Sequence, residues 1–111
     1  MADFIESVSM RIIKTTPLLA FWRIHPDSES GLRQWILQCR AASWRSMADI
    51  KVYARSADWV GNNRVVFNIA GNKYRLVVAI HFKTGIVLVK FIGTHAEYDR
   101  IDVSKVELTE E

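Results

Sequence analysis

Residues Asn63 to Asp102 read NRVVFNIAGNKYRLVVAIHFKTGIVLVKFIGTHAEYDRID, and the fold turns on how they are paired. Gly71-Asn72 and Thr84-Gly85 separate three apolar runs, and the polar segment Thr94-His95-Ala96-Glu97-Tyr98-Asp99 follows the third. Glycine and asparagine accept the backbone angles of tight reversals. The pattern therefore predicts a three-stranded antiparallel meander feeding a small C-terminal helix. In the first run Val65, Phe67 and Ile69 alternate with Arg64, Val66 and Asn68. In the second, Tyr74, Leu76, Val78, Ile80 and Phe82 alternate with Lys73, Arg75, Val77, Ala79 and His81. In the third, Val87, Val89 and Phe91 alternate with Ile86, Leu88, Lys90 and Ile92.

Successive side chains point to opposite faces, so the register must set core opposite core. A two-residue turn at Gly71-Asn72 does so by pairing Ile69 with Tyr74 and Asn68 with Arg75. A two-residue turn at Thr84-Gly85 pairs Phe82 with Val87 and Ala79 with Lys90, and the same ladder sets Thr94 opposite Arg75. Asn68, Arg75 and Thr94 are then expected side by side at one end of the second face. Lys73 is expected one position beyond Arg75, and Lys90 leans in from roughly 13 Å along its strand. If His95 to Ile101 is helical, His95, Tyr98, Asp99 and Asp102 share one face. That places an imidazole and a phenol above Asn68, Lys73 and Arg75.

Outward from the meander, the Ile12-Ile13 pair predicts a strand over Met10 to Lys14. Pro17 suits a first helical turn after Thr15 or Thr16, Leu18, Phe21 and Trp22 recur at helical spacing, and His25-Pro26 ends that helix. Asp27 or Ser28 can cap a second helix whose Leu32, Trp35, Ile36, Cys39 and Ala42 form an apolar stripe. Arg33, Arg40 and Arg45 lie off the stripe and read as a solvated face. Ser46 to Asp49 has the form of a capping box and predicts a short helix to about Ala54. A loop is expected from Arg55 to Asn63, with Gly61-Asn62 at its end. The order predicts an α+β fold with helices on one face of an antiparallel sheet.

With 111 residues, half of them apolar, the composition is that of one globular domain over 1–111. Met1 to Ser9 reads as an extension before it. No apolar run approaches a membrane span, and the first residues do not read as a leader, so the expectation is a cytoplasmic protein with no membrane partner. The net charge of +3 permits an anionic partner such as RNA without demanding one. A lone cysteine, Cys39, excludes an internal disulfide and a thiolate zinc cluster, so neither metal nor cofactor is expected.

Cations, a histidine and a phenol around a groove suit cleavage of RNA by its own 2′-hydroxyl. That reaction needs a base for the hydroxyl proton, fixed positive charge on the phosphorane and an acid for the leaving 5′-oxygen. His95 suits base or acid, because imidazole titrates near neutrality. Arg75 suits the phosphorane, since its planar fork binds two phosphate oxygens. Lys73 and Lys90 add charge, with Arg64, Asn68 and Thr94 in support, and Tyr98 can stack on a base or relay a proton. His25 and His81 read as structural or solvent-exposed. Taken singly, each of these residues is more often surface or packing; their convergence makes the candidate.

The segments GNNRVVFNIAGNKYRLVVAI and FIGTHAEYDRID closely resemble the HigB family of toxins from bacterial type II toxin–antitoxin systems. The likeness extends upstream through MRII, FWRIHP and ASWRSMADIK, so it covers about Met10 to Asp102. The resemblance implies a RelE-like fold, with N-terminal helices on a curved antiparallel sheet and a short C-terminal helix. It also implies an mRNA endoribonuclease (an mRNA interferase) acting without metal on translating ribosomes. A HigA-type helix-turn-helix antitoxin would neutralise it and carry it to operator DNA only indirectly. Residues matching the family's working positions are Arg75, Lys90, His95 and Tyr98, with Asn68 and Lys73 as supporting candidates. Lys90 stands where the family more often has arginine, so the two-pronged fork is lost there. Two other readings stay open: a non-catalytic relative, such as a ParE-like gyrase poison or an antitoxin-binding relic, and a generic RNA-binding domain.

Overall fold

A computed structural model describes residues 9–108. The expected extension, residues 1–9, lies outside the described residues apart from Ser9. The elements run β1 (Arg11–Ile13), α1 (Thr16–Ile24), α2 (Glu29–Ala41), α3 (Met47–Tyr53), β2 (Asp58–Gly61), β3 (Arg64–Ile69), β4 (Tyr74–His81), β5 (Ile86–Thr94) and α4 (His95–Tyr98). A 3-10 turn over Pro26–Ser28 joins α1 to α2. The strands form one five-stranded sheet in the order β1-β5-β4-β3-β2. The α+β reading of the sequence, helices packed on one face of a largely antiparallel sheet, holds.

Helix α1 starts where Pro17 fits a first turn, and it stops before Pro26, whose ring disfavours helical backbone at His25. Leu32, Trp35, Ile36 and Cys39 of α2 are buried, as their spacing predicted. They pack with Leu18 against Val65, Phe67 and Ile69 of β3 and Tyr74, Leu76, Val78 and Ile80 of β4. Trp35 and Trp44 both meet the Phe67 ring, at centroid distances of 5.6 and 6.1 Å. Ser46 sits at the N-cap of α3 without a side-chain bond; instead Asp49 Oδ2 accepts the N–H of Arg45 at 2.9 Å.

Two parts of the topology depart from the sequence reading. Trp59 and its neighbours, expected in a loop, form edge strand β2, antiparallel to β3. Strand β1 pairs parallel with β5, Arg11 against Ile86, so the first strand of the chain lies beside the last.

The first hairpin matches its expected register, Ile69 opposite Tyr74 and Asn68 opposite Arg75, with the N–H of Lys73 donating to Ala70 O at 3.3 Å. The second does not. Its loop takes four residues, Phe82 to Gly85, with Gly85 at φ 75°, and His81 pairs with Ile86. Ile80, not Phe82, therefore faces Val87, and Leu88, not Lys90, faces Ala79. A β-bulge follows. Val78 pairs with Val89 but Val77 pairs with Phe91, leaving Lys90 as the extra residue. Beyond it every side chain of β5 changes face: Phe91 and Gly93 join the second face, while Ile92 and Thr94 turn toward the helices.

Candidate functional site

The face of the sheet turned away from α1 and α2 carries Arg64, Val66 and Asn68 of β3. From β4 it carries Arg75, Val77 and Ala79, and from β5 beyond the bulge Phe91 and Gly93. Val66, Val77 and Ala79 are nevertheless buried, because the segment after β5 folds back across them. Two groups of charged residues sit on this face, at opposite ends of β3.

At one end lie Asn68, Arg75 and Gly93, in adjacent positions on three strands. The bulge brings Gly93, not the expected Thr94, opposite Arg75. Arg75 is only 8% exposed and is fixed by its own turn. Its guanidinium donates to Asn72 O at 3.2 Å, Asn72 Oδ1 at 3.0 Å and Tyr74 O at 3.2 Å. The Tyr98 ring covers it, with its centroid 5.9 Å from the guanidinium carbon, in a cation–π stack.

Helix α4 supplies Tyr98 and His95, and Thr94 anchors it. Thr94 is the N-cap: its hydroxyl accepts the N–H of Glu97 at 3.1 Å, and Glu97 Oε1 accepts the N–H of Thr94 at 2.8 Å. This reciprocal box is the role found for Thr94, which the sequence reading had placed among the RNA-facing groups. Gly93 leaves room for the box, since a Cβ there would lie 2.7 Å from Glu97 Oε1 and 2.5 Å from Phe91 Cζ. The helix ends at Tyr98 rather than Ile101. The N–H groups of Arg100 and Ile101 bond three residues back, and Asp102 turns to the N–H and hydroxyl of Ser104. Asp102 thus leaves the face it was expected to share with His95. His95 keeps Asp99, its Nδ1 lying 3.2 Å from Asp99 Oδ2, and its N–H donates to Lys73 O at 3.0 Å.

The Tyr98 phenol is held above its ordinary pKa. Burial is the main cause; Asp58 and Asp99 push the same way, and Arg75 opposes them. Tyr98 is therefore a protonated donor at neutral pH, next to a cation able to stabilise the phenolate that remains after donation.

Lys73 turns the other way. It ion-pairs with Asp27 of the α1–α2 connection, which also accepts the Tyr74 hydroxyl, so it lies toward the helices and not beyond Arg75. Those two bonds hold the Asp27 carboxyl below its usual range.

The second group contains Arg64 and Lys90. Arg64 is 4% exposed and donates to Val103 O, at 3.2 Å, and to Val106 O. It also donates to Glu107 Oε2 at 2.9 Å, while Lys90 Nζ donates to Glu107 Oε1 at 2.7 Å. Lys90 thus leans toward Arg64 and the tail, not toward Thr94. Arg64 and Asn68 are four residues apart on β3, roughly 13 Å, so the structure brings together Arg75, Tyr98 and α4 and sets Arg64 with Lys90 apart. His25 stacks on Phe21 at 4.4 Å and packs near Tyr74, and His81 is exposed at the end of β4.

Phe91, Asn72 and Glu107 were missed by the sequence reading. A run such as Val-Leu-Val-Lys-Phe-Ile alternates equally well with or without a bulge at its lysine. Glu107 lies in an acidic tail with no pattern. Among the described residues no group of three or more His, Cys, Asp and Glu side chains is placed to hold a metal ion, and no helix is long and apolar enough to cross a membrane.

A family model described as the HigB toxin, the RelE-like toxic component of a toxin-antitoxin system, matches residues 28–101. The matched span runs from the last residue of the 3-10 turn before α2 to three residues past α4 and contains every residue of the Arg75 group. No curated protein matches the chain.

Proposed function

This chain belongs to the HigB family of RelE-like toxins, and from that premise we propose that it is an mRNA endoribonuclease of the cytoplasm. It would cleave mRNA on translating ribosomes and be silenced by a HigA-type antitoxin. The observation that carries the reading is Arg75, fixed by Asn72 and stacked under Tyr98, beside a helix that begins with His95.

In the proposed reaction the 2′-hydroxyl attacks the adjacent phosphorus and the bond to the 5′-oxygen breaks, giving a 2′,3′-cyclic phosphate and a 5′-hydroxyl. His95 takes the 2′-hydroxyl proton. Its Nδ1 edge is held by Asp99, which leaves Nε2 for the substrate and stabilises the imidazolium formed. Arg75 neutralises the charge that builds on the phosphorane, and because its position is set beforehand it does so without reorganising. Tyr98 gives its proton to the 5′-oxygen, and the Arg75 charge beneath its ring stabilises the phenolate left behind. Phe91, brought to this face by the bulge, offers a ring on which a base can stack.

The test is expression under a tight promoter, with growth and mRNA 5′ ends followed together. Arrest with new 5′ ends in coding regions is expected, and folded Arg75→Ala and His95→Gln variants should each lose both effects. Arrest without new ends would refute the nuclease; if a DNA-damage response accompanied it, a gyrase-poisoning relative would be the better description. Full toxicity in both variants would refute the site.

A further inference from the structure

We propose that Arg64 and Lys90 form a second phosphate-binding subsite, for an RNA phosphodiester away from the cleaved one, and that the Glu107 carboxylate plugs it. The ligand class rests on the nuclease reading; the existence of an anion site does not.

Each oxygen of Glu107 takes one cation, Oε1 from Lys90 at 2.7 Å and Oε2 from Arg64 at 2.9 Å. A carboxylate bridging two cations in this way marks a place that the two non-bridging oxygens of a phosphodiester can fill. The depths are those of a site with an external occupant. The Arg64 side chain is 4% exposed and that of Lys90 19%, whereas Glu107 is 62% exposed. The cations are therefore recessed and the anion is outermost, able to swing into solvent without disturbing the sheet.

The cations also stay aimed when it leaves. Arg64 keeps the Val103 and Val106 carbonyls, and Lys90 springs from the bulge of β5 with its side chain largely buried. Glu107 lies past the span matched by the family model, which ends at residue 101. The Lys90 hydrogen bond and the nearby Arg64 charge hold its carboxyl below the ordinary range, and the plug is thus charged at neutral pH. The subsite lies at the opposite end of β3 from Arg75.

Fluorescence anisotropy with a 2′-O-methyl RNA oligonucleotide tests this, because that probe binds but cannot undergo 2′-hydroxyl attack. Glu107→Gln removes the plug, and Glu29→Gln on α2 removes the same charge elsewhere. Glu107→Gln should bind about fivefold more tightly at low salt, and its plot of log affinity against log salt should steepen by about 0.7, the signature of one added single-strand phosphate contact. Adding Lys90→Met should cancel both changes. Equal affinity and slope for Glu107→Gln and Glu29→Gln would overturn the subsite, as would failure of either protein to bind RNA. Mapping of mRNA ends reports on the nuclease separately. Tighter binding without cleavage in cells would keep the subsite and remove the reaction.

Discussion

Gly93→Ala probes how α4 is held over the sheet. Gly93 has no positive φ, so an alanine there adds crowding and not backbone strain. Its Cβ would lie 2.5 Å from Phe91 Cζ and 2.7 Å from Glu97 Oε1, both well inside van der Waals contact. Both atoms end side chains that can move, and Glu97 moves more easily than a packed ring. When it does, the 2.8 Å bond from the Thr94 N–H is lost, and with it half of the capping box. Loss of such a cap costs about 1 kcal/mol, and residual pressure on the Phe91 ring adds roughly 1 kcal/mol. For a chain of this size the sum lowers Tm by roughly 8–9 °C. Glu97→Ala breaks the same bond without crowding and should cost about half as much. Since both variants break one shared interaction, the double variant should be less destabilised than the sum of the singles by about 1 kcal/mol. Thermal and urea unfolding followed by circular dichroism on the four proteins measures each value. A Tm for Gly93→Ala within about 1 °C of the parent, or strict additivity in the double variant, would refute the coupling of Gly93 to α4 through Glu97.

Other consequences can be measured on the same protein. Asp27 titrates below its ordinary value of 3.8 because Lys73 and then Tyr74 donate to it. A carboxylate depressed by folding stabilises the fold above that ordinary value and ceases to do so as pH falls through its folded value. Asp27→Asn should therefore flatten the acid limb of the Tm–pH curve below about pH 4; an unchanged limb would show that the Asp27 clamp is not coupled to folding. Burial pushes the Cys39 thiol up to about 12. At pH 8 a disulfide reagent should then modify the native protein at least about a hundredfold more slowly than the urea-unfolded chain, and equal rates would contradict a closed α2–sheet contact. Leu76→Ala, at a fully buried position on the central strand β4, should cost about 2–5 kcal/mol in urea unfolding, and a loss under 1 kcal/mol would mean that this part of the core can collapse around the gap.

The helices and the first hairpin were legible because their signals are local. The stripe Leu32, Trp35, Ile36, Cys39 fixes a buried face, and Gly71-Asn72 fixes one turn and hence one register. Arg75 was legible for the same reason, lying three residues past the well-marked Gly71-Asn72 turn. The second hairpin was not. Thr84-Gly85 is compatible with two-residue and four-residue loops, both of which keep Val87 and Val89 on the core face, so alternation cannot choose between them. The bulge at Lys90 then reverses the parity of Phe91 to Thr94, an event to which alternation is blind when both faces are apolar. Strand β2 escaped notice because an edge strand half open to solvent lacks an apolar pattern; Trp59 is 45% exposed. The partners of Lys73 and Lys90 lie 46 and 17 residues away, and no local rule reaches that far.

The parallel pairing of β1 with β5 bears on when the Arg75 group is assembled during the chain's own synthesis. Strand β5 lies between β1 and β4, so the sheet cannot close until the chain has been made through Thr94. Arg11 must wait for Ile86, and contacts between such distant segments form late. The segment that closes the sheet is the one that carries Lys90, Phe91 and, one residue on, His95. A nascent chain thus has an early helical part without the Arg75 group, which comes together only after β5 and α4 have been made. The Glu107 carboxylate emerges just after the groups that it neutralises.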